Sequence, residues 1–525
     1  MTFQTFTVAL GAAKFPFVSD FLQRTVIIPG LDAPPRLPKN VSGESESANY
    51  EIAKFFYCQN VLPTADGLRS VGYAQQVPAL VGTSDFDQVI TLRDFDENNF
   101  LLSPARGKNY IYRQDVGEWV STNPFGGWTG DLVTRGYVNG RTFVCYEGYD
   151  VFEYDEGANT FLPVAITGLT ASDIDGISAS QNYLIAWSGI TIYWSSLIDP
   201  TDFTPSILTG SGSSIPQDVK GTIRAIVPIA GGFVVYTTKN AVVALYTNNS
   251  RAPFVFREIS NAGGVQSPEQ VSIEASAGYH YAWTTNGLQK VSTTVAEHVT
   301  DAEVTDFLAG RILETFDLPT LTLTTERLFA NLLVKLSYIS GRFLVISYGK
   351  TATPYTHAIV YDFDLGRWGK LQINHVDAFQ YPYPNLIGQV TDTPPKQSIA
   401  FIQQDGTILL LVMDYRIAEQ VGVLYLGKFQ LVRQRTVTFQ TLEVENLIQA
   451  YPPNVYMLLS YNGKTLADPA QLQLLVDDSI YQKFGAPLPN GIVGAPRTGK
   501  SISFLITGTF ELNAVMPTLT THGNR

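Results

Sequence analysis

The sequence has 525 residues, 45% hydrophobic and only 16% charged, with a formal net charge of −12. This length and apolar content exclude a disordered chain and predict a large globular core. The acidic balance, without any run of Lys and Arg, excludes tight binding to nucleic acid, because that binding needs a basic surface. No apolar run approaches about 18 residues, so no membrane-spanning helix is predicted.

The first 50 residues are predicted to form an extended arm. Residues 31–40 hold three prolines, and residues 42–49 are polar and acidic. Phe15 and Phe17 are apolar residues of this arm that we expect to contact a partner subunit. The N-terminus lacks a basic segment followed by an apolar one, so we expect the protein to be made and kept, or assembled, in a cytoplasm.

A repeated turn is the main signal in the middle of the chain. Residues 112–119 and 361–368 both match Y-x-x-D-x-G-x-W, and residues 154–161 are a looser copy. This sequence is typical of a tight hairpin in which Asp bonds to its own backbone, Gly takes a positive φ and the aromatic residue re-enters the sheet. The spacing from Trp119 to Phe161 fits a four-stranded propeller blade of about 40–45 residues.

Short β-rich runs recur at the same spacing between about residues 50 and 420, in six or seven units. Two predicted hairpins are copies of each other, at residues 236–245 and 283–291. We therefore predict an all-β protein with a β-propeller, its first part at 51–295 and its last part at 336–424. A β-sandwich with chance repeats is the alternative. Cys58 and Cys145 show no metal-ligand spacing and are expected to be reduced, buried thiols.

Residues 296–335 interrupt the pattern. Thr300 and Glu303 fit a capping box, and an amphipathic helix is predicted to follow it. The apolar face of that helix needs a partner, either a neighbouring domain or another subunit. Its predicted interface residues are Val304, Phe307, Leu308 and Ile312. Residues 425–525 contain strands without blade turns and are predicted to form a separate C-terminal β-domain, a platform joined by the N-terminal arm.

Residues 494–501 match the P-loop pattern G-x-x-x-x-G-K-S. A P-loop joins a buried strand to a helix, whose N-terminus binds the phosphates. Here prolines precede the motif and a β-branched run follows it, so we predict a surface loop between strands. No nucleotide cofactor is expected.

Other catalytic and metal-binding patterns are incomplete. Residues 94–98 begin like a calcium loop, but Asn99 and Ala105 stand where Gly and Glu are needed. The five histidines have no metal-ligand spacing, and there is no G-x-S-x-G motif. We therefore predict no catalytic, cofactor or metal site and no enzyme activity, although the fold could still bring two distant carboxylates together.

The order of motifs between residues 180 and 295 resembles that of the tail nozzle proteins of short-tailed bacteriophages, also called tail tubular or packaged-DNA stabilisation proteins. The similar segments are WSSLIDPTDFTP at 194–205, GTIRAI at 221–226, GGFVVYTTK at 231–239 and FREISNAGGV at 256–265. The layout is consistent with that family from residue 50 to the end.

The resemblance implies a structural protein of the virion tail, assembled in the host cytoplasm. It implies a hexameric ring below the portal and its adaptor, with tail fibre, spike or needle proteins nearby. Such a ring retains the packaged genome and conducts it during ejection, with only transient, non-specific contact with DNA. The alternative is a propeller that binds or cleaves carbohydrate, such as a tail-associated receptor binder or glycosidase. A generic intracellular scaffold is a third reading.

Overall fold

Most of the chain is described by a computed structural model. The described residues are 2–5, 8–9, 26–27, 55–64, 67–79, 86, 88–93, 99–105, 108–113, 117–122, 132–272, 278–299, 312–317, 322–327, 333–339, 341–351, 354–382, 399–413, 416, 418–426, 429–430, 437–446, 448, 454–460, 479–485, 492–499 and 501–521. Regular structure in these residues is β-strand, apart from two 3₁₀ turns at Ala171–Asp173 and Pro268–Gln270.

Among the described residues, seven short strands precede the first complete blade. They are β1 (Thr2–Thr5), β2 (Val8–Ala9), β3 (Val26–Ile27), β4 (Phe55–Gln59), β5 (Val61–Pro63), β6 (Leu68–Ser70) and β7 (Gly72–Val77).

Four antiparallel four-stranded sheets follow in succession, and the strands of each pair in chain order. These are blades 1 to 4, rich in the β-branched and aromatic residues that favour strands. Their strands are β8 (Ile90–Arg93), β9 (Asn99–Ala105), β10 (Lys108–Arg113), β11 (Glu118–Thr122), β12 (Val133–Val138), β13 (Arg141–Tyr146), β14 (Asp150–Asp155), β15 (Thr160–Pro163), β16 (Gly176–Ser180), β17 (Tyr183–Ser188), β18 (Thr191–Trp194), β19 (Gly212–Ser214), β20 (Ile223–Ile229), β21 (Gly232–Thr237), β22 (Ala241–Tyr246) and β23 (Phe254–Glu258).

Three further blades and one separate hairpin complete the propeller region. Blade 5 is β24 (Tyr279–Thr284), β25 (Gly287–Ser292) and β26 (Ala296–His298), and an isolated antiparallel bridge pairs Val271 with Ala282 of β24. The separate hairpin is β27 (Ile312–Asp317) and β28 (Thr322–Arg327). Blade 6 is β29 (Leu333–Ile339), β30 (Phe343–Gly349), β31 (Tyr355–Asp362) and β32 (Arg367–His375), and blade 7 begins with β33 (Asp377–Gln380), β34 (Ile399–Ile402) and β35 (Ile408–Val412).

The propeller closes into a ring because β7, from near the N-terminus, supplies the fourth strand of blade 7. It pairs antiparallel with β35. Buried apolar clusters join six of the seven neighbouring pairs of blades, and the one between blades 7 and 1 holds Val77, Trp119 and Ile402. Rings of Tyr281 and Tyr338, 5.3 Å apart, join blades 5 and 6. The described residues thus form a β-propeller of seven blades.

All three predicted Y-x-x-D-x-G-x-W turns are hairpins in which the tyrosine lies opposite the later aromatic residue. The positive φ falls five residues after each tyrosine, at Gly117, Asn159 and Gly366. Gly157 of the looser copy therefore does not have the role predicted for it. In the third copy the turn is capped by buried Asp362, whose carboxylate accepts from the Asp364 N–H at 3.0 Å.

The C-terminal strands build the predicted platform. They are β36 (Gly422–Leu426), β37 (Phe429–Gln430), β38 (Val437–Asn446), β39 (Asn454–Ser460), β40 (Ser479–Gly485), β41 (Ile492–Gly499), β42 (Ser501–Gly508) and β43 (Glu511–Thr521). The N-terminal arm joins it, because β1 and β2 pair with β43 and β3 pairs with β37. Strands β4 to β6 also lie in the platform sheets, so a propeller start at residue 51 is about twenty residues too early.

One sheet runs without a break from blade 6 into the platform. Its order is β29-β30-β31-β32-β5-β6-β43-β38-β41. At the junction the Ser70 hydroxyl contacts the Gln420 side chain at 3.1 Å. Gly72 is required there because a Cβ would stand 2.3 Å from the Glu419 carbonyl oxygen. Main-chain hydrogen bonds therefore couple the propeller to the platform.

The insertion at 296–335 differs from its prediction in the part that is described. Ile312 begins strand β27, which pairs with β28, so its assignment to a helix is wrong. Ile312 continues the helical spacing of the preceding apolar residues, although it lies in a threonine-rich hairpin. Spacing alone therefore did not show where a helix would end and a strand begin. Val304, Phe307 and Leu308 lie outside the described residues, as do Phe15 and Phe17.

Candidate interaction surface on blades 2 and 3

An exposed apolar loop joins β18 to β19 in blade 3. It spans residues 195–211 and is shaped by its own polar side chains. The buried Ser195 hydroxyl accepts from the Leu184 N–H at 2.9 Å, and the Ser196 hydroxyl accepts from the Ile198 N–H at 3.0 Å. Asp199 accepts from the Thr201 N–H at 3.0 Å. These are the local turns that Ser and Asp favour, and they fix the path of the loop.

The loop is anchored at its base, so its shape does not depend on a partner. The Trp194 indole N–H donates to the Gly210 carbonyl at 2.8 Å, and the Phe203 ring is buried. The Leu197 N–H donates to the Thr209 carbonyl at 3.1 Å, which places the two halves of the loop side by side. Asp202 accepts from the Thr167 hydroxyl at 2.8 Å, and hydrogen bonds from Thr204 and Thr167 lower the pKa of this carboxyl.

The loop exposes four large apolar side chains. Ile198 is 80% exposed and Leu208 is 96% exposed, and the two flank the backbone pairing of Leu197 with Thr209. Ile207 is 61% exposed and Leu197 is 38% exposed. Exposed apolar groups of this size, grouped on one loop, normally mark a contact with another macromolecule.

An acidic depression on blade 2 lies beside this loop. It has a volume of about 590 Å³ and is lined by Glu153, Asp155 and Glu156, with Tyr154 and Leu162. Arg141 links it to the loop, since its guanidinium pairs with Glu153 at 2.6 Å and lies 3.6 Å from Asp199. The hydrogen bonds that Arg141 donates to the Glu153 carboxylate raise the pKa of Arg141, which stays charged.

We call these groups together the blade 2–3 surface. The loop at 195–211 and the hairpin turn of blade 2 both join third and fourth strands, so they lie on the same face of the propeller. The members of the surface are Arg141, Glu153, Tyr154, Asp155, Glu156, Leu162, Leu197, Ile198, Asp199, Ile207 and Leu208.

A second cluster of charged groups joins the first strands of blades 6, 7 and 1 to the 3₁₀ turn that precedes blade 5. Lys335 pairs with Asp377 at 3.1 Å and with Glu269 at 3.3 Å. Glu269 also accepts from the buried Tyr355 hydroxyl at 3.0 Å, and Asp377 accepts from the Val89 N–H at 3.1 Å. Burial lowers the pKa of Lys335, but the two carboxylates more than offset this and raise it above its usual range.

This axial cluster ties blades together. Each charge is matched by a partner of opposite sign or by a main-chain donor, which is the condition for keeping charges buried. A buried ammonium held by two carboxylates has no lone pair with which to act as a base. Among the described residues, no group of three His, Cys, Asp or Glu side chains is arranged to hold a metal ion.

The P-loop pattern has a different structure from the predicted surface loop. Residues 492–499 form β41, which pairs antiparallel with β38, and the chain continues into strand β42. Most of the motif is thus strand, without the strand–loop–helix geometry that cradles phosphates. Cys58 and Cys145 are free and buried, as predicted, and burial raises the pKa of Cys58 to about 12.

The blade 2–3 surface was not found from the sequence. The apolar residues Leu197 and Ile198 lie in the segment that resembles the nozzle family, but nothing local distinguishes them from core residues. Of the six predicted interface residues, Ile312 is a strand residue whose side chain is not described, and the other five lie outside the described residues. In the part of the chain with described structure, no helix has the length and apolar character of a membrane span.

Comparison with known proteins gives a fold neighbour only. No family model matches the sequence, and no curated protein matches it. Among solved structures, the β-propeller domain of Cps50 (Swd1) from Myceliophteria thermophila is similar, with 10% identity and a TM-score of 0.40 over 64% of this chain and 99% of that chain. So distant a similarity says nothing about activity or partners, and the strand pairing itself defines the propeller.

Proposed function

We propose that the chain is a structural subunit of a bacteriophage tail nozzle, located in the virion tail and assembled in the host cytoplasm. Six copies form a ring below the portal and its adaptor, with tail fibre, spike or needle proteins nearby. The ring extends the DNA channel, retains the genome and conducts it during ejection. No step of this function requires catalysis.

The observation that carries the proposal is the exposed apolar loop within the segment that resembles the nozzle family. A propeller packs its own core blade by blade and needs no partner for stability. Ile198 and Leu208, almost fully in solvent, therefore contribute little to the fold of the subunit. Their exposure fits a protein that works as part of an assembly.

Charge supports the same function. The formal net charge of −12 favours a wall that repels phosphates, along which DNA slides without being captured. The continuous sheet from blade 6 into the platform fits a subunit in which the propeller and the platform keep a fixed relative orientation.

The arm provides the test. Deleting residues 1–30 removes β1, β2 and β3, and Phe307→Asp with Leu308→Asp adds charge to the predicted interface. We expect both variants to keep a folded propeller by circular dichroism but to fail to attach to the tail, leaving heads that lose DNA. The control is Leu333→Asp, a substitution at an exposed position in blade 6, which should give normal particles. Infectious particles from both variants would contradict the nozzle function.

A carbohydrate-binding propeller is the second candidate, favoured by the depression on blade 2. Tyr154 beside carboxylates is a combination that suits a sugar ring and its hydroxyls. Titration of the purified protein with a panel of oligosaccharides decides this. Saturable binding that disappears in Tyr154→Ala would place the carbohydrate function ahead.

A further inference from the structure

Neighbouring blades of this acidic protein carry opposite charge. Residues 139–214, which hold most of blade 2 and all of blade 3, contain nine Asp and Glu and a single Arg. Residues 215–258, which hold blade 4, contain five Lys and Arg and only two carboxylates. A chain with a net charge of −12 thus has a locally basic blade next to a strongly acidic region.

The basic groups of blade 4 are on its surface. All five are exposed: Lys220, Arg224, Lys239, Arg251 and Arg257. Arg257 lies on the outer strand β23 beside Val255, whose side chain is 54% exposed, and Arg251 lies in the loop that leads into that strand. Lys220 pairs with Glu258 at 2.7 Å. We call Lys220, Arg251, Val255 and Arg257 the blade 4 edge.

We infer that the blade 2–3 surface of one copy docks on the blade 4 edge of a second copy of this chain. The inference rests on the proposed function, since it names the contact by which subunits of the ring would meet. Two acidic surfaces facing each other would repel, so the contact must join two different surfaces. Contacts between unlike surfaces are those that generate rings when the rotation closes.

Each side of the contact has what the other lacks. Ile198 and Leu208 are exposed apolar anchors on the loop that carries Asp199, beside the depression that holds Glu156. Val255 is an exposed apolar residue on the strand that carries Arg257, with Arg251 in the loop before it. Burial of the anchors supplies most of the affinity, and the charges set the orientation and the rate of encounter. Association should therefore weaken as salt rises, because exposed charges are screened beyond about 10 Å at 0.1 M salt.

Sedimentation velocity of the full chain tests this contact. Glu156→Lys and Arg251→Glu each reverse one exposed charge, and we expect each to raise the dissociation constant about tenfold, the effect of about 1.4 kcal/mol at one charge pair. The chain with both reversals should recover most of the lost affinity, which a folding defect would not allow. Ile198→Ser with Leu208→Ser should remain monomeric. Arg93→Glu, an exposed charge reversal in blade 1, is the matched control and should behave as wild type.

The outcomes separate this inference from the proposed function. Wild-type protein that stays monomeric at every concentration, in low and in physiological salt, would overturn the contact, as would assembly that ignores all four substitutions. Pairs that depend on these residues but never close into rings on electron micrographs would keep the contact and remove the nozzle function. Rings that still form with all the substitutions would support the nozzle function and overturn the proposed contact.

Discussion

Both ring nitrogens of His280 are hydrogen-bonded, and both partners belong to blade 4. Nε2 lies 2.7 Å from the Pro228 carbonyl oxygen, and Nδ1 lies 3.1 Å from the Tyr236 hydroxyl. A carbonyl can only accept, so Nε2 carries the proton and Nδ1 accepts from the tyrosine. His375 has the opposite arrangement, with Nδ1 donating to the Ile373 carbonyl and Nε2 accepting from the Ser347 hydroxyl. Both rings are fully buried in the neutral form.

These two histidines should make stability depend on pH. Burial lowers the pKa of each to about 4, so the unfolded chain binds these protons between pH 6.5 and 4 while the folded chain does not. The free energy of unfolding should therefore fall as pH falls through this window, by up to about 3 kcal/mol for each histidine.

Urea titrations at pH 7 and pH 4.5 provide the measurement. The free energy of unfolding should change less between the two pH values in His280→Gln with His375→Gln than in wild type. His298→Gln, at an exposed position, is the control and should keep the wild-type difference. An undiminished difference in the double variant would show that these rings are already charged in the folded protein.

At the scale of elements, the hairpins of blades 4 and 5 show one design used twice. The Thr237 hydroxyl accepts from the Lys239 N–H at 3.0 Å, and the Thr284 hydroxyl accepts from the Asn286 N–H at 3.1 Å. Gly263 and Gly264 pass between the two turns so closely that a Cβ on Gly264 would stand 2.3 Å from the Lys239 nitrogen. The segment at residues 256–265 thus forms part of the contact between blades 4 and 5.

Trp119 gives the prediction at this scale. Its ring packs 5.2 Å from Phe86, and its indole N–H donates to the Gly406 carbonyl of blade 7 at 2.9 Å. Trp119→Ala should cost about 3–5 kcal/mol, because it leaves a cavity where blades 1 and 7 meet. Trp119→Phe keeps much of the packing and loses mainly the hydrogen bond, at about 1 kcal/mol. Thermal melts of both variants measure the two losses of stability. Equal melting temperatures for wild type and Trp119→Ala would mean that the contact between blades 1 and 7 does not limit the stability of the protein.

At the scale of the whole molecule, the shared sheet predicts that propeller and platform unfold together. Leu62, 1% exposed on β5, packs against the blade 6 cluster that includes Val345 and Leu371. Leu62→Ala should lower the free energy of unfolding by about 2–5 kcal/mol. In calorimetry the protein should still unfold in a single transition, shifted to a lower temperature. Leu162→Ala, 47% exposed, is the matched control and should shift it little. Two separate transitions, with only one moved by Leu62→Ala, would show that the sheet does not couple the domains.

The sequence by itself determined the repeat and the hairpin turns that mark it. The turns at residues 112–119, 154–161 and 361–368 depend on residues only a few positions apart. A hairpin at each of these places can therefore be predicted from the local sequence. Six or seven blades were predicted, because blades 1 to 6 are built from strands that are consecutive in the chain. C-terminal strands outside the blades and an arm that joins them were also predicted, since both lack the blade turns, but the predicted separation from the propeller is wrong because one sheet continues from blade 6 into the platform.

Only the tertiary structure decided which strands that are distant in sequence pair with each other to complete a sheet. Strand β7 pairs with β35 more than 330 positions later, and β5 pairs with β32 of blade 6, and no local signal encodes either pairing. The same holds for the surface. Leu208 reads like any core leucine in the sequence, and it is exposed because Ser196, Asp199 and the backbone pairing of Leu197 with Thr209 hold the loop outside the blade. Exposure depends on what the rest of the chain leaves uncovered, and that is settled only when the blades are packed.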